Sequence, residues 1–191
     1  MPARIRHLPD QLVNQIAAGE VIERPASALK ELIENSLDAD ASRISVDLAE
    51  GSLSGLTVSD DGAGMAQDEL ILAVQRHATS KLPHDNLVDI QFFGFRGEAL
   101  PSIGSVSQLR LFSRQHADLH GWALTVRHGN ADQPEPAAGE RGTRIEINEL
   151  FASVPARLKF MKTQKTEASQ CYDVDRRCAR SRPERSFSLT A

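Results

Sequence analysis

Read only as apolar and polar positions, the chain alternates between a helical period and a period of two. From Gln11 to Val21 apolar residues recur at helical spacing, and the run ends near Pro25. Ala26 to Leu37 is the clearest helix, with Leu29, Leu32, Ile33 and Leu37 on one stripe. From Ile44 the period becomes two: ISVDLAEGSLSGLTVSDDG (44–62) reads as two strands around a Gly/Ser turn, an antiparallel hairpin. Gln67 to His77, with Leu70, Leu72, Ala73 and Val74, returns to helix. Residues 78–93 have weak periodicity and one proline, and a loop of that length inside a compact domain is usually functional. It closes on GFRGEAL (94–100), glycines leading into a helix start. Three strands follow, VSQLRLFSR (106–114), GWALTVRHG (121–129) and GTRIEINEL (142–150), with a polar, proline-containing turn at 130–140. Residues 155–161 and Thr166 to Arg180 read as helices, and SFSLT (186–190) as a strand. Helices with mostly antiparallel strands predict an α+β sandwich, its helices on one face of the sheet.

Composition bounds the function. With 191 residues, 40% of them apolar, the chain can bury one core and begin a second unit. No apolar run approaches the ~18 residues of a membrane span, and MPARIRHLPD lacks a signal-peptide pattern. Cys171 and Cys178 are too few for a disulfide framework, which predicts a reducing, cytoplasmic setting. The net charge of −4 argues against a broadly basic nucleic-acid binder. The charge is uneven, however. Residues 1–155 carry 13 Lys/Arg against 22 Asp/Glu, and residues 156–191 carry 9 against 4. A solvated helix face and a phosphate-backbone contact both fit that basic end.

Four short stretches offer chemistry, each with a plainer reading beside it. Opposite the apolar stripe of the second helix, Glu31, Asn35 and Asp38 fall on one polar row. A carboxylate can orient or deprotonate a water, and an amide oxygen is a hard ligand of the kind Mg2+ takes. The same row would serve as the wet face of a surface helix. In LTVSDDGAGM (56–65) a strand runs into Asp60, Asp61, Gly62 and Gly64. Glycines there permit positive φ and close approach of a flat group, while Asp60 can accept from an exocyclic amine; a tight turn is the alternative. In GFRGEAL the amides around Gly94 and Gly97 can cradle phosphates or form a glycine-capped loop, and neither the P-loop nor the Rossmann spacing is present. Thr79, Ser80 and Lys81 in RHATSK (76–81) add two hydroxyls and a mobile cation, or ordinary loop chemistry.

In combination these stretches carry more. The order ELIEN, DDGAG, long loop, GFRGEAL and Gly142-Thr143 resembles the GHKL ATPases, the group of gyrase, heat-shock chaperone ATPases, histidine kinases and MutL. NQIAAGEVIERPASALKELIENSLDA (14–39), RHATSK, GFRGEAL and PARLKF (155–160) resemble the MutL family of DNA mismatch repair proteins, over about residues 8 to 165. The resemblance implies a GHKL (Bergerat-type) two-layer α+β sandwich, with residues 1–182 as the ATPase domain and 183–191 opening a second subdomain. It implies an Mg-dependent ATPase with ATP and Mg2+ as cofactors. Glu31 would be the general base and Asn35 the metal ligand. Asp60 would read the adenine amine, with Gly62 and Gly64 beside the base and Thr143 supporting it through a water. Thr79, Ser80 and Lys81, with the backbone of Gly94, Phe95, Arg96 and Gly97, would form a lid over the phosphates. The implied partners are mismatch-recognition and downstream repair proteins, weakly and non-specifically bound DNA, and a second copy on ATP binding, with no membrane.

Departures from the family pattern are also visible. Asp61 and Asp40 stand where relatives often have Asn and Gly, with little effect expected. Leu158 replaces the second Arg of PARRKF, and Asp175 and Arg180 occupy positions in the last helix where apolar residues are expected. The family continues into a second subdomain that supplies a lysine to the γ-phosphate, so residues 1–191 alone are expected to bind ATP but to hydrolyse it poorly. A non-catalytic, ATP-dependent interaction module is therefore the alternative, separated by measuring binding beside hydrolysis. Another GHKL member, such as a topoisomerase subunit or chaperone, fits NQIAAGEV and GFRGEAL much less well.

Overall fold

The computed structural model describes residues 6–50, 54–76, 78 and 97–191. Two helices open the chain, α1 (Asp10–Val21) and α2 (Pro25–Asp38). Proline at the first position of α2 suits a helix start, since its missing N–H would have no intrahelical partner there. The hairpin follows as β1 (Arg43–Ala49) and β2 (Gly55–Asp60), then α3 (Gln67–Ala73) and α4 (Ala99–Ser105). The remaining elements are β3 (Gln108–Arg114), β4 (Gly121–Arg127), β5 (Asn130–Ala131), β6 (Glu135–Ala137), β7 (Gly142–Asn148), α5 (Pro155–Leu158), α6 (Gln164–Ser181) and β8 (Ser186–Thr190).

The strands form one sheet in the order β5-β4-β3-β7-β2-β1-β8, with β6 also paired to β4. Every pairing is antiparallel except β1 with β8. The strand at 186–190 thus extends this sheet, with Phe187 beside Ile44 and Leu189 beside Val46.

Alternation sorts the central strands into two faces. One cross-strand row reads Val46, Val58, Ile145, Leu111 and Leu124, and the next Leu48, Leu56, Ile147, Leu109 and Val126. All of these except Leu124, which is also buried, lie in one core with Leu29, Leu32 and Ile33 of α2, Ile103 of α4 and Cys171 and Val174 of α6. The opposite face carries Asp47, Thr57, Glu146, Arg110 and Thr125 in register. A two-layer α+β sandwich results, as the pattern predicted.

β4 and β7 each end two residues short of the sequence reading, α5 stops at Leu158, and three further details differ. The third helix stops at Ala73 rather than His77. The polar stretch 130–140 contains two short strands, because β4 offers its free edge to both. Strand β3 starts two residues late, since Val106 caps α4 by donating to Ile103 O and accepts from Phe151 N. The arginine kept in PARLKF also has a defined place. Arg157 donates to the carbonyl of Gly19 in α1 and lies 5.9 Å above the ring of Phe151. Leu158 beside it is exposed. No described helix is long and apolar enough to cross a membrane.

Candidate nucleotide site

The inner face of the sheet has a third row, and here the apolar pattern fails. In register across the strands it reads Ile44, Asp60, Thr143, Ser113 and Trp122. Three adjacent polar residues therefore point to the helix side at the end of the sheet. Asp60 is held by three donors: Ser36 Oγ at 2.6 Å, Gly62 N at 2.9 Å and Thr143 N at 3.3 Å. Burial, the largest influence, raises its pKa above the ordinary 3.8 in spite of those donors. The result is a shielded carboxylate whose orientation is fixed before any ligand arrives.

Ser113, wholly buried, supports the neighbouring position. Its hydroxyl lies 2.9 Å from that of Thr143 and 3.0 Å from Gly142 O, and it accepts from Met65 N at 2.8 Å. If Ser113 donates to Gly142 and Thr143 donates to Ser113, every proton is used and the Thr143 oxygen still has acceptor capacity. Ser36 and Ser113 were both missed by the sequence reading. The available signal was the same in each case: a polar residue on an otherwise apolar face, after Leu29, Leu32 and Ile33 on α2 and after Leu109 and Leu111 on β3.

The two glycines of DDGAG act differently from one another. Gly64 has φ 72, and a Cβ there would lie 2.4 Å from Arg114 O, so both conformation and space require glycine. Gly62 does not take positive φ; it is needed because a Cβ would sit 2.8 Å from Ala39 O. That carbonyl also accepts from Ala63 N at 3.0 Å, fastening the loop to the end of α2.

Asp61, expected to matter little, braces the same loop. It accepts from Ser42 N (2.8 Å), Ser42 Oγ (2.7 Å), Arg43 N (2.7 Å) and Arg43 Nε (3.1 Å). Burial pushes its pKa upward, but these donors together outweigh it and hold the carboxyl well below the usual range. Its contribution to stability is thus present above the ordinary carboxylate pKa and lost as pH falls through the depressed value.

Glu31, Asn35 and Asp38 are all half-buried on α2, one helical face beside the Ser36–Asp60 contact. Thr79, Ser80, Lys81, Gly94, Phe95 and Arg96 lie outside the described residues. On either side of that stretch the chain is fastened. Arg76 donates to Glu98 at 2.9 Å and to Asn14 of α1 at 2.7 Å, and Gly97, at φ 62, packs directly on Ala78 O. RHATSK, GFRGEAL and NQIAAGEV therefore meet at one guanidinium.

Residues 22–150 match the family of histidine kinase-, DNA gyrase B- and HSP90-like ATPases. The chain belongs to that ATPase family. Among its relatives, MutL of Paramagnetospirillum magneticum is 59% identical over 97% of this chain, and MutL of Rhodospirillum rubrum 55% identical over 97%. The chain spans 31% and 30% of those proteins' own lengths. The MutL ATPase domain of Aquifex aeolicus in complex with ADP superposes with TM-score 0.72 at 30% identity, covering 89% of this chain and 60% of that one. The N-terminal domain of a DNA repair protein gives TM-score 0.79 at 27% identity, covering 93% and 51%. Within the ATPase family the chain is thus an ATPase core of the MutL type.

Proposed function

We propose that this chain binds and hydrolyses ATP between α2 and the polar row of the sheet, as the ATPase core of a MutL-type mismatch repair protein. The observation that carries this reading is the Asp60 carboxylate, pre-oriented by Ser36, Gly62 and Thr143 beside the helix face of Glu31 and Asn35. Asp60 accepts from the adenine amine, and the Thr143 hydroxyl, backed by Ser113, holds a bridging water. Gly62 and Gly64 keep the loop low enough for the base to lie against it. Glu31 orients the attacking water and takes its proton. Asn35 supplies an amide oxygen, a donor type that fits Mg2+, and a bound ion there would offset charge on the transferred phosphoryl group. Thr79, Ser80, Lys81 and the backbone of Gly94, Phe95, Arg96 and Gly97 cover the phosphates.

The Aquifex aeolicus neighbour's ADP supports the nucleotide assignment. In the longer protein, ATP binding drives a conformational change and pairing of two copies, and residues 183–191 lead into a second subdomain. Mismatch-recognition and downstream repair proteins are the partners, in the cytoplasm. The exposed basic positions of α6, Lys165, Arg176 and Arg180, support a weak, salt-sensitive contact with DNA phosphates. Assayed alone, residues 1–191 bind ATP but hydrolyse it poorly.

Equilibrium ATP binding and phosphate release, each with and without Mg2+, test the reading. Glu31→Ala should bind ATP within a few-fold of the unaltered chain yet lose at least about 100-fold in phosphate release. Absence of ATP binding by the unaltered chain, or phosphate release unchanged in Glu31→Ala, defeats it.

A further inference from the structure

The turn joining α2 to β1, residues 39–43, is gripped from two sides. From the nucleotide loop, Asp61 binds Ser42 and Arg43, and Ala63 N–H reaches Ala39 O. From the opposite side comes Arg185, 145 residues along the chain from Asp40 and directly ahead of β8. Its guanidinium donates to Ala41 O at 3.0 Å, to Asp40 O at 3.3 Å and to the Asp40 carboxylate at 2.6 Å. Asp40 has φ 59, the left-handed conformation that ends many helices and favours glycine. The turn's own N–H groups serve the last helix carbonyls, and Arg185 donates to two further carbonyls just beyond the helix, Asp40 O and Ala41 O. The backbone after Arg185 then enters the sheet, Ser186 N donating to Ser42 O at 2.9 Å.

We infer that Arg185 is a positioning residue for the nucleotide site, fixing the 39–43 turn and so linking ATP binding to the docking of β8. The inference rests on the nucleotide pocket proposed above. The chain of contacts is short: Arg185 to residues 40–41, residues 39–43 to Asp61 and Ala63, and from there to Asp60 and Gly62, which face the base. Displacement of the turn moves the end of the helix that carries Glu31, Asn35 and Ser36 and, through Asp61, the loop that carries Gly62. Linkage makes the effect reciprocal: whatever β8 docking adds to ATP affinity, ATP adds to β8 docking.

The ion pair itself is the lesser part. The Asp40 side chain is 87% exposed, where a salt bridge contributes little. The two carbonyl contacts set the geometry; both come from one guanidinium nitrogen, Nη1, while Nη2 reaches the Asp40 carboxylate. Asp40→Gly should therefore cost less than Arg185→Ala, because it removes the carboxylate but keeps both carbonyls and suits the backbone.

The experiment is equilibrium binding of ATP to residues 1–191, with amide hydrogen exchange of residues 186–190 measured with and without ATP. Arg185→Ala should weaken ATP binding about five- to tenfold, the lower part of the usual range for coupled sites. Arg185→Lys should fall between it and the unaltered chain. Arg177→Ala, which removes an equal charge from the exposed face of α6, should bind ATP within twofold. ATP should slow exchange of residues 186–190 in the unaltered chain and have no such effect in Arg185→Ala. If Arg185→Ala loses its folded helical signal, Arg185→Lys carries the same comparison. ATP binding by Arg185→Ala within twofold of the unaltered chain, or unchanged exchange of 186–190 on adding ATP, overturns the inference alone. Failure of the unaltered chain to bind ATP overturns it together with the nucleotide reading.

Discussion

Helices α2 and α6 pack against one another, and each interrupts an apolar stripe with polar residues, yet the interruptions have opposite consequences. On α2 the interruption is Ser36, buried at 4% exposure, and its hydroxyl reaches Asp60 at 2.6 Å. On α6 the interruptions are Glu167 and Asp175. Glu167 is fully buried; one oxygen accepts from Lys162 N at 2.9 Å, while the other has no partner among the described residues. Asp175 also buries an oxygen, Oδ1, without a partner among them. A buried polar group costs stability unless it is paired, so a break in the apolar period has two meanings. On α2 the break serves a carboxylate across the core. On α6 the breaks are only partly compensated.

The strongest way to break this contrast is to remove what Ser36 serves. Asp60→Ala should weaken ATP binding by about 100-fold, roughly one charge-assisted hydrogen bond in a shielded site. Titration with ATP at neutral pH measures it, and affinity within threefold of the unaltered chain would deny Asp60 its assigned part. On α6 the matching change is Glu167→Ala. It removes the acceptor that holds Lys162 N at the start of the helix and should cost about 2 kcal/mol of stability by urea unfolding. ATP affinity should stay within twofold, because no contact in the site runs through Glu167. Loss of affinity in step with stability would erase the distinction between the two helices.

Ser36→Ala sharpens the comparison through pH. Asp60 already titrates above its ordinary value because of burial, and the Ser36 donor opposes that shift. Folding therefore favours its acid form, so Asp60 lowers stability at neutral pH and that loss is relieved as pH falls through the raised pKa. Recognition of an amine runs the other way, since only the carboxylate accepts fully. ATP binding should fall as pH drops through the raised value. In Ser36→Ala the fall should begin at higher pH, with affinity at neutral pH reduced about fivefold by the lost hydrogen bond. Identical acid limbs for the two proteins would show that Ser36 does not act on the carboxylate.

These residues also mark how far the sequence was legible. The sandwich, the hairpin and the α2 stripe followed from local period, because a half-buried element writes its burial into successive residues. Glu31, Asn35, Asp60 and Gly64, the positions of the proposed site, could be singled out because they lie in the short words ELIEN and DDGAG. What escaped depends on pairs brought together by the fold. Ser36 meets Asp60 across 24 residues, Ser113 meets Thr143 across 30, and Arg185 meets Asp40 across 145. Asp40 and Asp61 could be seen as departures from a pattern, but only the turn they brace gives each a role. Asp175 was flagged correctly as misplaced, since its defect is local to its own helix.

Asp175 supplies the smallest test, and the one with the opposite sign. Burial raises its pKa above the ordinary 3.8, and among the described residues no hydrogen bond or cation opposes that shift. Val174 beside it on α6 belongs to the core, and Leu189 of β8, a strand that α6 contacts, packs on the same core. Asp175→Leu should therefore stabilise the chain by about 1 kcal/mol at neutral pH, removing a poorly paired carboxylate and adding apolar contact. Asp175 is not fully buried, so the gain is below that of a fully buried site. Its pH dependence identifies the cause. The unaltered chain regains stability as Asp175 takes up a proton, so the advantage of Asp175→Leu should shrink as pH falls through the raised pKa. Urea unfolding at neutral pH and at about pH 4 reads both. A gain that stays constant with pH would come from packing alone, and the exception on α6 would then lie in shape and not in charge.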